Sequence, residues 1–553
     1  MTLLSKIAFF TLLMIYHGNQ VESDASNHHY KDGDIVPLYA NKVGPFSNPR
    51  ETYAYYDLPF CSEDIVKEKK LNLGEMLNGD HLVSTPYKLE FLVEKHFELL
   101  CNKTLSKTEV SQFRRAIEKD YYMQLSYDDL PMWAFIGKFK KDDIDEKIKT
   151  KYFLFNHFDF EVLYNKDYVI EVSVRVRRDS FTDVTEDKEV DVGFTYSVMW
   201  RQTQLSFDTR IDKYISSSIA QNHMSIHHHS VTFSSVTLLI LIISLLTFYL
   251  LVLRKDISRN LADVEEDILS YNKQEEIGWK NVHGDVFRFP QHKSLFAAAL
   301  GAGSQLLILS LAILGLGVVG FFQPYLRGVL WNALIIVYAL TSLVSGYSSV
   351  SYCQLEGTNW IKNLILAGGL YFGPLFLTFT FLDIVAIFYG STTTLPLRAI
   401  VMLSLLLIFI ASPLLFLGGI IGKSRMSEFQ ASCKTAKIPR DIPKLRWYRG
   451  VLPQMALAGI LPFSVVYIQL YYVLASVWGH RFYTVYSIMS IVFFLLLIMT
   501  ALVSVALTYF QLVVEDHQWW WRSLLCGGST GLISASTLHV LCNLPSDHLS
   551  FWN

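Results

Sequence analysis

Charge is scarce in this chain. Asp, Glu, Lys and Arg make up 18% of its 553 residues, against about 25% in ordinary soluble domains. Neither sign is in excess. Lys and Arg number 48 and Asp and Glu 50, a formal net charge of −2, so no positive surplus exists to neutralise a nucleic-acid backbone and nucleic acid is excluded as a partner. Cysteine is equally sparse, with six in all. Four of them, Cys353, Cys433, Cys526 and Cys542, are scattered rather than paired as CxxC. The chain also lacks HExxH, GxSxG and a P-loop, so no catalytic class, metal or cofactor is expected. What it has in abundance is apolar residues: 51% of the chain, with a mean hydropathy of +0.28.

The distribution of those residues sets the topology. Lys6 precedes an apolar run over 7–15 and then polar residues, which is the pattern of a signal peptide over 1–23, too short to span a bilayer about 30 Å thick. No long apolar run follows until residue 231, so 24–230 is expected to be a lumenal soluble domain. The segment 231–253 is uncharged and of spanning length, and Arg254 and Lys255 follow at once. A loop over 254–294 leads to a block of six spans over 295–513, for seven spans in total, with a weaker eighth within a divergent tail over 514–553. Basic residues cluster in the loops 254–293 and 423–450, whereas the intervening loops on the other side contribute only Arg327 and Arg481. The positive-inside rule therefore agrees with the signal peptide.

Within the soluble region the apolar period is two. Ile170, Val172, Val174 and Val176 alternate with polar residues, as do Phe194, Tyr196, Val198 and Trp200, and the apolar residues over 152–164 do the same. One helix interrupts the strands. Ser106-x-x-Glu109 is a capping box, followed at helical spacing by Val110, Phe113, Ile117 and Tyr121. A β-rich, sandwich-like domain results. Its two cysteines, Cys61 and Cys101, are the only pair that could bridge inside it, so a disulfide is expected, and Asn102-Lys103-Thr104 is an N-glycosylation sequon.

Few residues carry candidate chemistry. Gly315-x-Gly317-x-x-Gly320 matches a dinucleotide fingerprint as a string but lies inside an uncharged span, where glycines serve close helix packing, as do Gly301, Gly303, Gly368, Gly369 and Gly373. His227, His228 and His229 read as an interfacial spacer rather than a metal site. Asp383 falls within the fourth span and is a candidate ion or proton site, the competing reading being a hydrated acid near the lumenal end of that span. Trp519, Trp520 and Trp521 read as an interfacial aromatic belt, with Glu515 and Asp516 as its cytosolic flank.

Several separated motifs resemble the nonaspanins, the transmembrane 9 superfamily, along nearly the whole chain. They are Val43-Gly44-Pro45-Phe46, Asn48-Pro49-x-Glu51-Thr52-Tyr53, Leu58-Pro59-Phe60-Cys61, Asp128-Asp129-Leu130-Pro131-Met132-Trp133, Phe194 to Trp200, and the run Gly278-Trp279-Lys280-Asn281-Val282-His283-Gly284-Asp285-Val286-Phe287-Arg288 in the first cytosolic loop. Ile438-Pro439-Arg440-x-Ile442-Pro443, Gly459 to Phe463 and Glu515-Asp516-x-x-Trp519-Trp520-Trp521 continue the match. Two positions depart from it. Gln469 stands where family members carry an acid, and Asp383 stands where they tend to carry Asn, so the pair forms the candidate intramembrane polar site. The resemblance stops near Gly531, and the expected reading is a C-terminally shortened form lacking the basic-x-acidic retrieval signal, with retention in the endoplasmic reticulum or mislocalisation as a consequence.

The resemblance implies an integral membrane protein of Golgi and endosomes that helps place other membrane proteins. Its partners would be membrane lipid, the transmembrane segments of cargo and coat or sorting machinery. An ion or small-molecule channel or transporter, and a seven-span receptor, are the alternatives from other classes.

Overall fold

The computed structural model describes residues 28–46, 48, 51–144, 147–177, 180–207, 210, 221–269, 282, 284–322, 328–351, 359–425, 439, 441–443, 446–478 and 486–542. The signal-peptide segment 1–23, Gly278, Trp279 and His283 lie outside these residues.

Three sheets build the N-terminal region. The first has the order β2 (Tyr53–Ala54), β1 (Ile35–Pro45), β5 (Tyr121–Tyr127), β6 (Leu130–Phe135), with β3 (Val83–Glu90) also paired to β1. The second runs β10 (Tyr168–Val176), β9 (His157–Asn165), β12 (Val190–Gln202), β4 (Lys95–Leu105), and the third β11 (Phe181–Asp183), β8 (Lys147–Phe155), β7 (Gly137–Ile144). The pairings are antiparallel except that β12 runs parallel to β9, with Tyr196 opposite Phe158 and Val198 opposite Phe160. Two of the sheets face each other across aromatic side chains. Tyr87 of β3 meets the rings of Phe160 and Tyr196 edge-on, and Phe91 meets Trp200. Met123, Leu125 and Tyr127 from one sheet and Phe158, Phe160 and Val198 from the other are fully buried in the one core, the arrangement that period-two alternation produces when two sheets bury their inner faces together.

The sequence read 152–164 as continuously alternating; the structure breaks it at Asn156 into β8 and β9, which belong to different sheets. The capping box forms at α2 (Lys107–Glu118), whose Val110, Phe113 and Ile117 are buried. Tyr121, placed on that helix by its spacing, is instead the first residue of β5, because the helix ends at Glu118 and Asp120 takes a left-handed turn at φ 50°.

The remainder is helical. A 49-residue helix, α3 (Gln221–Leu269), contains the first apolar stretch, and α4 (Lys293–Val318), α5 (Val329–Ser351) and α6 (Trp360–Tyr389) follow. The next span joins α7 (Leu397–Leu406) to α8 (Ser412–Ser424) through one π turn, and α9 (Val451–Trp478), α10 (Tyr486–Val513) and α11 (Trp519–Cys542) complete the chain. Among the described residues six helices are long and apolar enough to cross a membrane, and Val451–Ser464 within α9 is a shorter apolar helix. The segment expected as a weaker eighth span forms the 24-residue α11. Glycine sets the closest helix pair: a Cβ at Gly346 of α5 would lie 2.0 Å from the Leu415 carbonyl oxygen, and one at Gly418 of α8 2.0 Å from that of Leu343. Only glycine allows backbones this near.

Candidate functional site: two joints that organise the bundle

The face of the bundle nearer the β-rich domain is a built joint. Thr392 N–H and Ser391 Oγ–H both donate to the Thr52 carbonyl, at 2.9 and 2.8 Å, and the Thr52 and Thr392 hydroxyls lie 2.7 Å apart. A short helix, α1 (Leu73–Leu77), approaches the start of α5 so closely that a Cβ at Gly74 would sit 2.0 Å from the Gly328 carbonyl oxygen. Gly328 itself has φ +70°.

Asp383 belongs to this joint. Its Oδ1 accepts the Leu395 N–H at 2.7 Å, fixing the loop between α6 and α7 that receives Thr52. The carboxylate therefore holds backbone of the same joint, two turns before the helix ends at Tyr389. Gln469 lies on α9, with its side chain outside the described residues.

The opposite, distal face carries a second joint. Trp519, Trp520 and Trp521 open α11, and their indole N–H groups donate to the carbonyls of Val286, Arg288 and Gln291 at 3.1, 2.9 and 2.8 Å. Consecutive helical residues point about 100° apart, so three adjacent donors wrap the irregular segment 286–291 around the helix start. Carbonyls in such a segment need partners, and the indoles supply them. Trp519 and Trp520 stack with centroids 4.3 Å apart, and Phe296 of α4 meets Trp520 and Trp521 edge-on. Beneath them Arg522 Nη1 donates to Asp516 Oδ2 at 3.1 Å, while Asp516 Oδ1 accepts the Gln518 N–H at 3.0 Å. Asp516, His517 and Gln511 are all buried. On the loop side, Arg288 Nη2 donates to Asp285 Oδ1 at 2.9 Å.

The sequence treated Asp285, Phe287 and Arg288 and the tryptophan run as separate features, about 230 positions apart. The structure makes them one object. Read as an interfacial belt, the tryptophans should expose their N–H groups to headgroups; all three are committed to loop carbonyls instead.

Two further features shape the β-rich domain. A disulfide joins Cys61 to Cys101, with Cα atoms 6.2 Å apart, and Asn102 is exposed on β4 opposite Gly193 of β12. Sequence reasoning missed the second. Asp128 and Asp129 form the β5–β6 turn with φ 48° and 62°, the left-handed pair of a type I′ hairpin that Asp tolerates. The turn buries the Asp128 carboxylate, which accepts from Tyr30 Oη–H at 2.6 Å and Arg210 Nη1 at 2.9 Å and lies 2.7 Å from His28 Nδ1. Burial, and then the Asp128 charge, pushes the Tyr30 hydroxyl well above the usual tyrosine range. Arg210 is the last described residue before α3, so one carboxylate ties both ends of the domain.

A β-rich domain fastened to a bundle of apolar helices long enough to span a bilayer defines a polytopic membrane protein. A family model described as Endomembrane protein 70 matches residues 52–537. Transmembrane 9 superfamily member 4 of Arabidopsis thaliana is 58% identical over 521 residues, covering 94% of this chain and 87% of that protein. Transmembrane 9 superfamily member 1 of Mus musculus is 39% identical over 530 residues, covering 94% and 86%. A putative phagocytic receptor 1b of Dictyostelium discoideum is 39% identical over 516 residues, covering 93% and 87%. No solved structure matches. The chain belongs to the Endomembrane protein 70 family, the transmembrane 9 superfamily.

Proposed function

We propose that this protein sorts other membrane proteins in Golgi and endosomal membranes, engaging their transmembrane segments laterally, with the β-rich domain lumenal and the tryptophan joint cytosolic. The observation that carries this reading is on α6. Gly369 and Gly373 are four residues apart, the spacing that lets a second helix approach, and at neither would a Cβ meet any described neighbour within 4 Å. Gly301 and Gly368 of the same expected packing set do meet neighbours, whereas Gly303 and Gly315 do not. The bundle thus uses some of its small residues internally and leaves others facing outward. Outward small residues on an apolar helix are a surface for a transmembrane partner.

The Asn102 sequon, exposed on β4, serves as the reporter of the lumenal side. Coat or sorting machinery would meet the distal face that carries the tryptophan joint. The test is a quantitative surface proteome after deletion of the protein. Altered surface levels of a set of membrane proteins, restored by the wild-type chain but not by Gly369→Leu with Gly373→Leu, support the reading; unchanged levels throughout sink it. A transport reading has less to stand on, because Asp383 is engaged with loop backbone.

A further inference from the structure

The β-rich domain holds a cleft of about 600 Å³ beside its disulfide, within the size range of small-molecule sites. Three walls enclose it. The segment 54–60 forms the first, Lys103 of β4 with Glu109 and Gln112 of α2 the second, and Val66, Glu68 and His81 the third. The Cys61–Cys101 disulfide ties the first wall to the second, since Cys61 follows Phe60 and Cys101 lies two positions before Lys103. Lys103 Nζ adds another tie by donating to the Pro59 carbonyl at 3.2 Å. The cleft is therefore preformed, which spares a ligand the cost of ordering it. Its first wall also starts at the domain joint, because Ala54 is two positions from Thr52, which receives the Thr392 N–H.

Polar groups in the lining come as donors beside acceptors. Lys103 Nζ lies 3.0 Å from Glu109 Oε1, and His81 Nε2 lies 3.6 Å from Glu68 Oε1. Asp57 Oδ2 accepts the Ala54 N–H at 3.0 Å. Gln112 is exposed and makes no hydrogen bond to any described residue, so its amide offers a donor and an acceptor together. Tyr56, Pro59 and Val66 supply apolar surface between these groups. Three carboxylates against one ammonium and one imidazole repel an anion such as a phosphate ester or a sialic acid. A cation gains little, because two of the three carboxylates already have a basic partner. A hydroxyl both donates and accepts, so the adjacent hydroxyls of a sugar match these pairs while the C–H face of its ring covers the apolar side chains. The lining thus favours a neutral, polyhydroxylated ligand. The sequon of this chain does not supply one: successive strand residues point to opposite faces, so Asn102, which is exposed, leaves β4 on the side away from Lys103 and the cleft.

We propose that this cleft binds a neutral oligosaccharide carried by glycoproteins of the same compartment, giving the β-rich domain a means of recognising their ectodomains. The inference rests on the sorting role and lumenal placement proposed above. The test uses the full chain with Asn102→Gln, which removes its own glycan, in a detergent without a sugar headgroup. The protein is applied to an array of neutral high-mannose and asialo N-linked oligosaccharides, sialylated and phosphorylated counterparts, and unglycosylated peptides. Saturable binding to neutral oligosaccharides, competed by the free sugar, is expected. Val66→Trp, at a position 37% exposed, puts a large ring at the cleft wall and should abolish that binding. Gln112→Ala should weaken it about three- to tenfold, the equivalent of one net hydrogen bond. Each variant is first shown to be monodisperse with the Cys61–Cys101 disulfide formed; if Val66→Trp fails this, Gln112→Ala decides alone. The proposal is overturned by no binding to any neutral oligosaccharide, by binding that neither variant changes, or by a preference for the charged glycans. Peptide binding lost in Val66→Trp, with no sugar bound, would also overturn it and make the cleft a peptide site. The array needs no sorting of cargo, so its failure would leave the proposed function to be decided by the surface proteome.

Discussion

At the residue scale, two carboxylates show how environment sets what an acid does. Asp128 is buried beside Arg210, itself buried, and replacing it with Asn leaves a guanidinium in low dielectric without its counter-charge. Removal of one partner of a buried pair costs about 3–5 kcal/mol. Asp128→Asn is therefore expected to lower the apparent melting temperature of the detergent-solubilised chain and to expose the segment around residue 210 to limited proteolysis; Asp129→Asn, whose partner pairing is half-exposed, should do neither. Glu109 acts differently. Its carboxylate accepts the Ser106 N–H, which, with the nearby Lys103, holds it below the usual carboxylate range. A group with a lowered folded-state pKa stabilises the fold above its unfolded value, about 4.3 for Glu, and that contribution is lost as pH falls through the folded value. The cap should consequently persist at pH 5–6. Ser106→Ala removes the hydroxyl that accepts the Glu109 N–H and should cost about 1 kcal/mol in thermal stability, while the contribution of Glu109 itself, made through the Ser106 N–H that this substitution keeps, fades only below about pH 4.3.

At the scale of elements, the tryptophan joint makes α11 and the 285–291 segment one unit. Trp520→Phe keeps a ring against Phe296 but removes the donor to the Arg288 carbonyl. The bond is part-buried, so losing it should cost less than the roughly 1–3 kcal/mol of a fully buried unpaired group. Hydrogen exchange at 285–291 should accelerate in this variant while exchange in β12 stays unchanged; equal acceleration in both would mean that the joint is not local. The α2 helix and the strands around it were readable from period and capping because each signal sits within a dozen residues. The joint was not readable, since three indoles and three carbonyls about 230 positions apart leave no periodic trace in either segment. A run of tryptophans near a span boundary has a ready explanation in interfacial anchoring, and only coordinates show the N–H groups turned to the loop.

At the scale of the whole molecule, the β-rich domain and the bundle are fastened through Thr52, Ser391 and Thr392 and through the contact of Gly74 with Gly328. Gly74→Val would drive side-chain atoms into the Gly328 carbonyl, already 2.0 Å from a simple Cβ, so the helix start or the domain must shift. Cysteines placed at Thr52 and Thr392, whose hydroxyls are 2.7 Å apart, should crosslink in the wild-type background and lose most of that crosslink in Gly74→Val. Persistence of the crosslink would show that the joint absorbs the strain. Asn102 belongs to this scale too: Asn102→Gln should abolish a glycosidase-sensitive mobility shift of the chain, and if the wild-type chain shows no shift, the proposed lumenal placement of the domain loses its reporter.

What the sequence by itself determined is the class of molecule. Hydrophobic runs of spanning length, period-two strands, one capping box and two cysteines in one soluble region are local patterns, and the hydrophobic effect and backbone hydrogen bonding act on them without reference to distant chain. Tertiary structure alone decided the functions of particular polar groups. Asp383 organises a loop at the domain joint, Asp128 receives an arginine 82 positions away, and the tryptophans hold a loop rather than headgroups. Their partners are far in sequence and near only once the helices have packed. Whether a buried polar group is a site, a cap or a fastening depends on which donor or acceptor that packing brings within about 3 Å.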